Sequence, residues 1–309
     1  MQKSIILSLI SSTFILIPLI SEAAFANDKN RENRNNLKNN NIVVPVEVEN
    51  QEKPTLNDGI ILNHNALNFK SIGEYEKSLD AYNQALVIFR QYKNPRLEAS
   101  VLSQLGILYQ LKGEQQKALP YYNQALKIFT ELKEASLQAG TLNYIGTVYQ
   151  RMKNPRVALE YHNQALKIFQ DIRQRSLTGV TYHHIGKAYQ DMGNIQLALK
   201  YYNQALPLFK ETKQTGFEAI TLDYLGTVHQ ETGKHQQALS FYNQALPLRK
   251  KAKDRRGEAT TLGNIGRVYQ KIGQNSLALN YFQEALVIFK DIGDKKGETK
   301  TLDDMQKIR

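Results

Sequence analysis

The 309-residue sequence contains no cysteine. Disulfides, thiolate nucleophiles and cysteine-ligated metals are therefore excluded, as is a lipid anchor attached through cysteine. The chain also lacks a Ser-His-Asp order, a glycine-rich loop that could cradle phosphate, and a pair of carboxylates at catalytic spacing. Its six histidines are scattered, apart from His183 and His184. Adjacent helical residues point about 100° apart, so these two cannot chelate one ion together. With Asp223 they are the nearest approach to a metal or acid–base cluster. No cofactor, no metal and no enzymatic activity are expected. The N-terminal part carries no charge excess: residues 1–56 balance, and the formal net charge of +11 belongs to residues 57–309.

What is present begins with a short basic start, "MQK", followed by the apolar run "SIILSLISSTFILIPLI" at 4–20 and the small-x-small triplet "AFA" at 24–26. This reads as a signal peptide, residues 1–26, removed after Ala26. An uncleaved anchor is the alternative, since the run is nearly long enough to span a membrane. Either way the remainder is expected to be exported, to a periplasm or to the exterior. Eight of residues 27–41 are Asn. A segment so poor in large apolar groups cannot offset the entropy of ordering, and 27–56 reads as a disordered linker.

Beyond it the sequence repeats. "YYNQAL" stands at 121–126 and again at 201–206, with "AYNQAL" at 81–86, "YHNQAL" at 161–166, "FYNQAL" at 241–246 and "YFQEAL" at 281–286. The spacing is 40 residues throughout, without insertion or deletion. A fixed period of this size signals a solenoid. In the copy 99–138, Leu102, Leu105, Gly106 and Tyr109 fall on one helical face, and Ala118, Leu119, Tyr122, Ala125, Leu126 and Phe129 on a second. Gly113 punctuates between them. Each copy predicts an antiparallel helix pair that covers its apolar side by stacking on the next. Gly106 returns as Gly146, Gly186, Gly226 and Gly266. Glycine inside a helix costs about 1 kcal/mol against alanine, so its retention predicts a close neighbour. Asn154–Pro155 predicts a capped helix start, and Pro207 and Pro247 predict kinks.

The set Leu102, Leu105-Gly106, Tyr109, Gly113, Ala118, Tyr122 and Ala125 closely resembles the tetratricopeptide repeat. The resemblance covers about 59–298, in six copies: 59–98, 99–138, 139–178, 179–218, 219–258 and 259–298. It departs from the family in a period of 40 rather than 34, which predicts longer helices, and in lacking the usual terminal proline. It implies an all-α fold, an α-solenoid forming a right-handed superhelix, with residues 299–309 as a C-terminal capping helix.

The resemblance also implies that the first helix of each pair lines a concave groove. First-helix residues not needed for packing are then the candidate partner contacts: Asn143, Tyr144, Thr147, Gln150 and Arg151; His183, Lys187 and Gln190; Asp223, Tyr224, Thr227 and Gln230; Arg267 and Gln270. Gln110, Gln150, Gln190, Gln230 and Gln270 form a ladder of amides, suited either to a peptide backbone or to bonds between repeats. Asn83, Asn123, Asn163, Asn203 and Asn243 suggest a structural role in bonds between repeats. Lys250, Lys251, Lys253, Arg255 and Arg256 suggest a solvated rim, or a patch for acidic partners or anionic lipid.

The expected function is a protein–protein interaction scaffold whose groove holds a peptide or helix segment of another protein. Nucleic acid and small-molecule substrates are not expected. The alternative is a structural or self-assembling envelope protein, associating weakly through repeat ends or the basic rim. Membrane attachment is expected only if the signal segment is retained.

Overall fold

The computed structural model describes residues 53–308. The signal-peptide reading of 1–26, and nearly all of the linker reading of 27–56, fall outside these residues. Among the described residues there are thirteen α-helices and no strand, and no helix is long and apolar enough to cross a membrane.

The helices are α1 (Leu56–Ser71), α2 (Tyr75–Gln91), α3 (Pro95–Leu111), α4 (Gln115–Glu131), α5 (Ala135–Arg151), α6 (Pro155–Asp171), α7 (Arg175–Asp191), α8 (Ile195–Glu211), α9 (Thr215–Glu231), α10 (His235–Lys251), α11 (Arg255–Lys271), α12 (Asn275–Asp291) and α13 (Lys295–Gln306). The chain divides between Ile172 and Arg173 into two units. The first holds the pairs α1–α2, α3–α4 and α5–α6. The second holds α7–α8, α9–α10 and α11–α12, then α13.

The period of 40 is resolved into two 17-residue helices and two three-residue turns. The expected longer helices are thus present, and the turn within a pair matches the turn between pairs. Each turn has a left-handed residue at its centre: Gly113 with φ 80° inside a pair, Lys133 with φ 55° between pairs. Glycine takes this conformation without steric cost, whereas lysine gives up about 1–2 kcal/mol. The turn is closed by Lys133 N–H donating to the Thr130 carbonyl at 3.1 Å and Glu134 N–H to the Phe129 carbonyl at 3.0 Å. These bonds satisfy helix-end carbonyls and stop the helix. Six of the thirteen starts carry a side-chain cap. The Asn94 and Asn154 side chains accept from Leu97 N–H at 3.1 Å and Val157 N–H at 3.5 Å, each with Pro at the first helical position. Thr55 caps α1, so the helix begins one residue inside the expected linker.

The repeated glycines are explained within each pair. A Cβ on Gly106 would stand 2.6 Å from the Tyr122 ring, and one on Gly226 the same distance from Tyr242. Gly146, Gly186 and Gly266 meet His162, Tyr202 and Phe282 in the same way. The close neighbour is therefore the aromatic ring of the partner helix. These rings are fully buried, and burying a side chain of this size contributes about 1.5–3 kcal/mol. Leu126 is half-buried, so in "YYNQAL" the second Tyr and the Ala are the fully enclosed members. The first, Tyr121, stacks on Tyr109 with centroids 5.3 Å apart. Pro207 and Pro247 lie inside α8 and α10, and each remains one 17-residue helix. In α13, Thr301 and Asp304 are buried, while Gln306 is exposed where five copies have glycine.

Candidate functional site

The first helices α5, α7, α9 and α11 carry the predicted contacts. In the first unit, α5 presents Asn143, Tyr144 and Thr147 half-buried and Arg151 exposed. Gln150 is 9% exposed. Asn143 and Gln150 bracket the His162 ring, their side-chain oxygens 2.9 Å from Nδ1 and 3.2 Å from Nε2. Tyr144 stacks on Tyr122 at 5.3 Å, and burial holds its hydroxyl well above the ordinary phenol range. Thr147 donates to the Asn143 carbonyl at 3.0 Å.

In the second unit the same positions divide between surface and core. Lys187 is half-buried and pairs with Asp191 at 2.9 Å. His183 is fully buried: its Nδ1 lies 3.1 Å from Thr221 Oγ1 and its ring stands edge-on to Tyr224 at 5.0 Å. It cannot touch a partner, because the neighbouring first helix covers it. Asp223 is 8% exposed. Tyr224 lies half-buried against both His183 and Tyr202, at 5.0 and 5.6 Å. Thr227 Oγ1 lies 3.2 Å from the Tyr242 hydroxyl. Arg267 reaches Asp304 of α13 at 2.8 Å and also bonds Asn264.

The glutamine ladder turns inward. Gln110, Gln190 and Gln230 accept the hydroxyls of Tyr122, Tyr202 and Tyr242 at 2.8, 2.9 and 2.9 Å. Each bond lies within one helix pair rather than between repeats. Gln150 serves His162, and Gln270 is opposite Phe282, which has no hydroxyl. The amide nitrogen can bond elsewhere, as where Gln190 Nε2 donates to Glu231 at 3.2 Å. The asparagines of "YNQAL" are exposed on the second helices, against the expectation that they bond between repeats. The adjacent Gln124 does so, accepting from Arg90 at 3.4 Å.

His183 and Asp223 do not meet as a pair, since each has another partner. Among the described residues no group of three or more His, Cys, Asp or Glu is placed to hold a metal ion. Sequence reasoning missed the partner of Asp223. Arg249 donates to its Oδ2 from Nη2 and Nε, at 2.7 and 3.1 Å, and also pairs with Asp254. Thr261 donates to Asp223 Oδ1 at 2.8 Å. Burial pushes the Asp223 carboxyl above its ordinary value, against the opposing pull of Arg249 and Thr261. The signal is present in the sequence: Arg249 stands where the other copies have Phe89, Phe129, Phe169, Phe209 and Phe289. Gly257, in place of Leu97, Leu137 and Leu177, makes the room, since a Cβ there would meet Arg249 and Asp254.

The arrangement offers side-chain donors and acceptors along the first helices and no reactive constellation among the described residues. Known structures share the fold. BtubC from P. vanneervenii has a TM-score of 0.63 at 21% identity, covering 71% of this chain and 92% of its own. The apo form of RapI has a TM-score of 0.66 at 18% identity, covering 81% and 97%. A Rap protein complexed with Competence and Sporulation Factor has a TM-score of 0.63 at 12% identity, covering 97% of both chains. At these identities the likeness concerns the fold alone. No curated protein matches the chain. The tetratricopeptide repeat family matches residues 58–131, 137–211 and 217–291, and those windows are the helix pairs described above. By its repeats, its glycine–aromatic contacts and this match, the chain belongs to the tetratricopeptide repeat family.

Proposed function

We propose that this protein is an exported, non-enzymatic scaffold that holds a peptide or helix segment of another protein along its first helices. The carrying observation is a division of labour on those helices. In the second to fifth copies, glycine and glutamine recur and close the helix pair internally. The neighbouring positions vary among the copies: Asn143, His183, Asp223 and Gly263 at one, and Tyr144, His184, Tyr224 and Asn264 at the next. Part of that variation is absorbed by packing, where Asn143 serves His162 and Asp223 serves Arg249; recognition would account for the accessible remainder. Arg151, Lys187 and Thr147 supply accessible polar groups of the kind that grip a peptide backbone or its charges. Export rests on the apolar run and cleavage triplet of residues 1–26. The similar fold of a Rap protein complexed with Competence and Sporulation Factor supports the reading that a scaffold of this kind accommodates a partner.

Pull-down from periplasmic extract tests the reading with Arg151→Ala and Lys187→Ala. Each removes an accessible charge from a first helix without opening the core. Captured partner should fall several-fold while the melting temperature holds within about 2 °C. Unchanged capture by both variants would remove the first helices as the contact surface. Tyr224→Ala is unsuitable, because its ring is packed on His183 and Tyr202.

A further inference from the structure

Charge is unevenly shared along the chain. Residues 57–172 hold thirteen Lys/Arg against ten Asp/Glu, a net +3, whereas residues 173–309 hold twenty-one against thirteen, a net +8. Within the second unit the excess gathers where second helices end and first helices begin. The α10–α11 junction reads "RKKAKDRR" at 249–256, six cations and one acid. The α8–α9 and α12–α13 junctions add Lys210 and Lys213, then Lys290, Lys295 and Lys296. Because paired helices run antiparallel, these three junctions share one edge of the unit. Ion pairs confirm that neighbouring junctions adjoin: Arg255 approaches Asp291 at 4.0 Å, and Arg256 holds Asp294 at 3.1 Å.

Along this edge most acids are committed to partners and most lysines are not. Glu211 pairs with Arg175, Asp254 with Arg249, Glu258 with Arg255, and Asp294 with Arg256. Glu298 takes Lys295. Lys210, Lys213, Lys250, Lys251, Lys253 and Lys296 are exposed and enter no ion pair among the described residues. Lys253 sits at a left-handed turn centre with φ 55°, where its side chain projects from the junction.

From this sorting we infer that the α8–α9, α10–α11 and α12–α13 edge of the second unit is a docking surface for an anionic lipid bilayer. Arginine provides a planar fork for one defined carboxylate or phosphate, and the arginines here are already occupied. Lysine is a mobile point charge, suited to a broad and laterally fluid negative surface. Charges of one sign on adjoining projections add their fields toward such a surface, and each lysine brought near anionic lipid strengthens the attraction. A bound acidic polypeptide would instead call for complementary donors at fixed positions. This inference does not depend on the first-helix contacts of the proposed function.

Co-sedimentation of the full chain with vesicles tests it. One set is pure phosphatidylcholine and the other is mixed with phosphatidylglycerol. Any binding through the apolar run at 4–20 is common to both sets and to every variant. Wild type should bind the anionic vesicles in preference, and salt near 1 M should abolish the preference, since screening then acts within about 3 Å. Lys250→Glu, Lys251→Glu and Lys253→Glu combined should weaken anionic binding at least about tenfold, and the matching Gln triple should weaken it less. Lys187→Ala should leave it unchanged. Equal binding to both vesicle sets, or an unaltered Glu triple, would overturn the inference. Retention on polyglutamate without vesicle binding would overturn it in favour of an acidic polypeptide.

Discussion

The Arg249 guanidinium grips the Asp223 carboxylate from two nitrogens, at 2.7 and 3.1 Å, with both residues at most 8% exposed. A charge this deeply enclosed depends on its partner. Asp223→Ala should cost about 3–5 kcal/mol, because it strips one carboxylate from a buried guanidinium. Replacing the pair together, Asp223→Asn with Arg249→Phe, should cost much less, since Phe is what the other five copies use there. Urea unfolding of the wild type and both variants measures the two costs. A double variant no better than Asp223→Ala would show that Asp254 and the space at Gly257 bind the site to arginine.

Two glycines of α9 should respond in opposite directions. A Cβ on Gly226 would stand 2.6 Å from the Tyr242 ring, while Gly216 has nothing within 4 Å. Gly226→Ala should destabilise by on the order of 1 kcal/mol, an overpacking cost partly offset by better helix propensity. Gly216→Ala should stabilise by a few tenths to about 1 kcal/mol. Thermal unfolding of the pair distinguishes close approach from simple inheritance of glycine.

The core tyrosines make two separable contributions. Tyr202→Phe removes the hydroxyl that donates to Gln190 and should cost about 1 kcal/mol. Tyr202→Ala also empties the space beside Gly186 and should cost about 3–5 kcal/mol. Chemical denaturation of the two variants separates the hydroxyl from the ring. Phe282 already occupies the same position in the sixth copy, so the aromatic ring rather than the hydroxyl is the general requirement.

Lys70 stands where the other copies have the ladder glutamine, and it donates to Gln104 Oε1 at 2.5 Å. Burial pulls its ammonium down to about 7. In the unfolded chain it titrates near 10.5, so between those values the unfolded state binds more protons and stability rises with pH. Lys70→Gln should therefore be more stable than wild type at pH 7, by on the order of 1–3 kcal/mol, with the gap closing as pH approaches 10. Paired denaturation curves across that range measure it. A gap independent of pH would mean that the ammonium is fully hydrated in the folded protein.

The fold is legible in the sequence because its determinants are local and repeated. Gly106, Tyr122 and Gln110 all lie within one 40-residue copy, and a contact made in copy after copy leaves its spacing in the sequence. The turns are legible in part: Gly113 announces itself, whereas Lys133 adopts the same left-handed geometry with no such mark. The candidate contacts are harder to read because burial on a first helix depends on the adjoining pair. His183 and Lys187 are one turn apart on α7, yet Thr221 and Tyr224 enclose the first and leave the second half-open. Periodicity alone gives both the same standing. Arg249 is concealed by the lysines beside it, and stands out only when aligned with the phenylalanines 40 residues away.

The self-contained closure of each helix pair bears on how such a chain changes over generations. When ring, glycine and amide all belong to one hairpin, a tandem gain or loss of a copy demands no compensating substitution elsewhere, and array length can drift cheaply. The buried Asp223–Arg249–Thr261 knot ties the α9–α10 pair to the following one, so that joint should resist unequal crossing-over more than junctions held by exposed pairs alone.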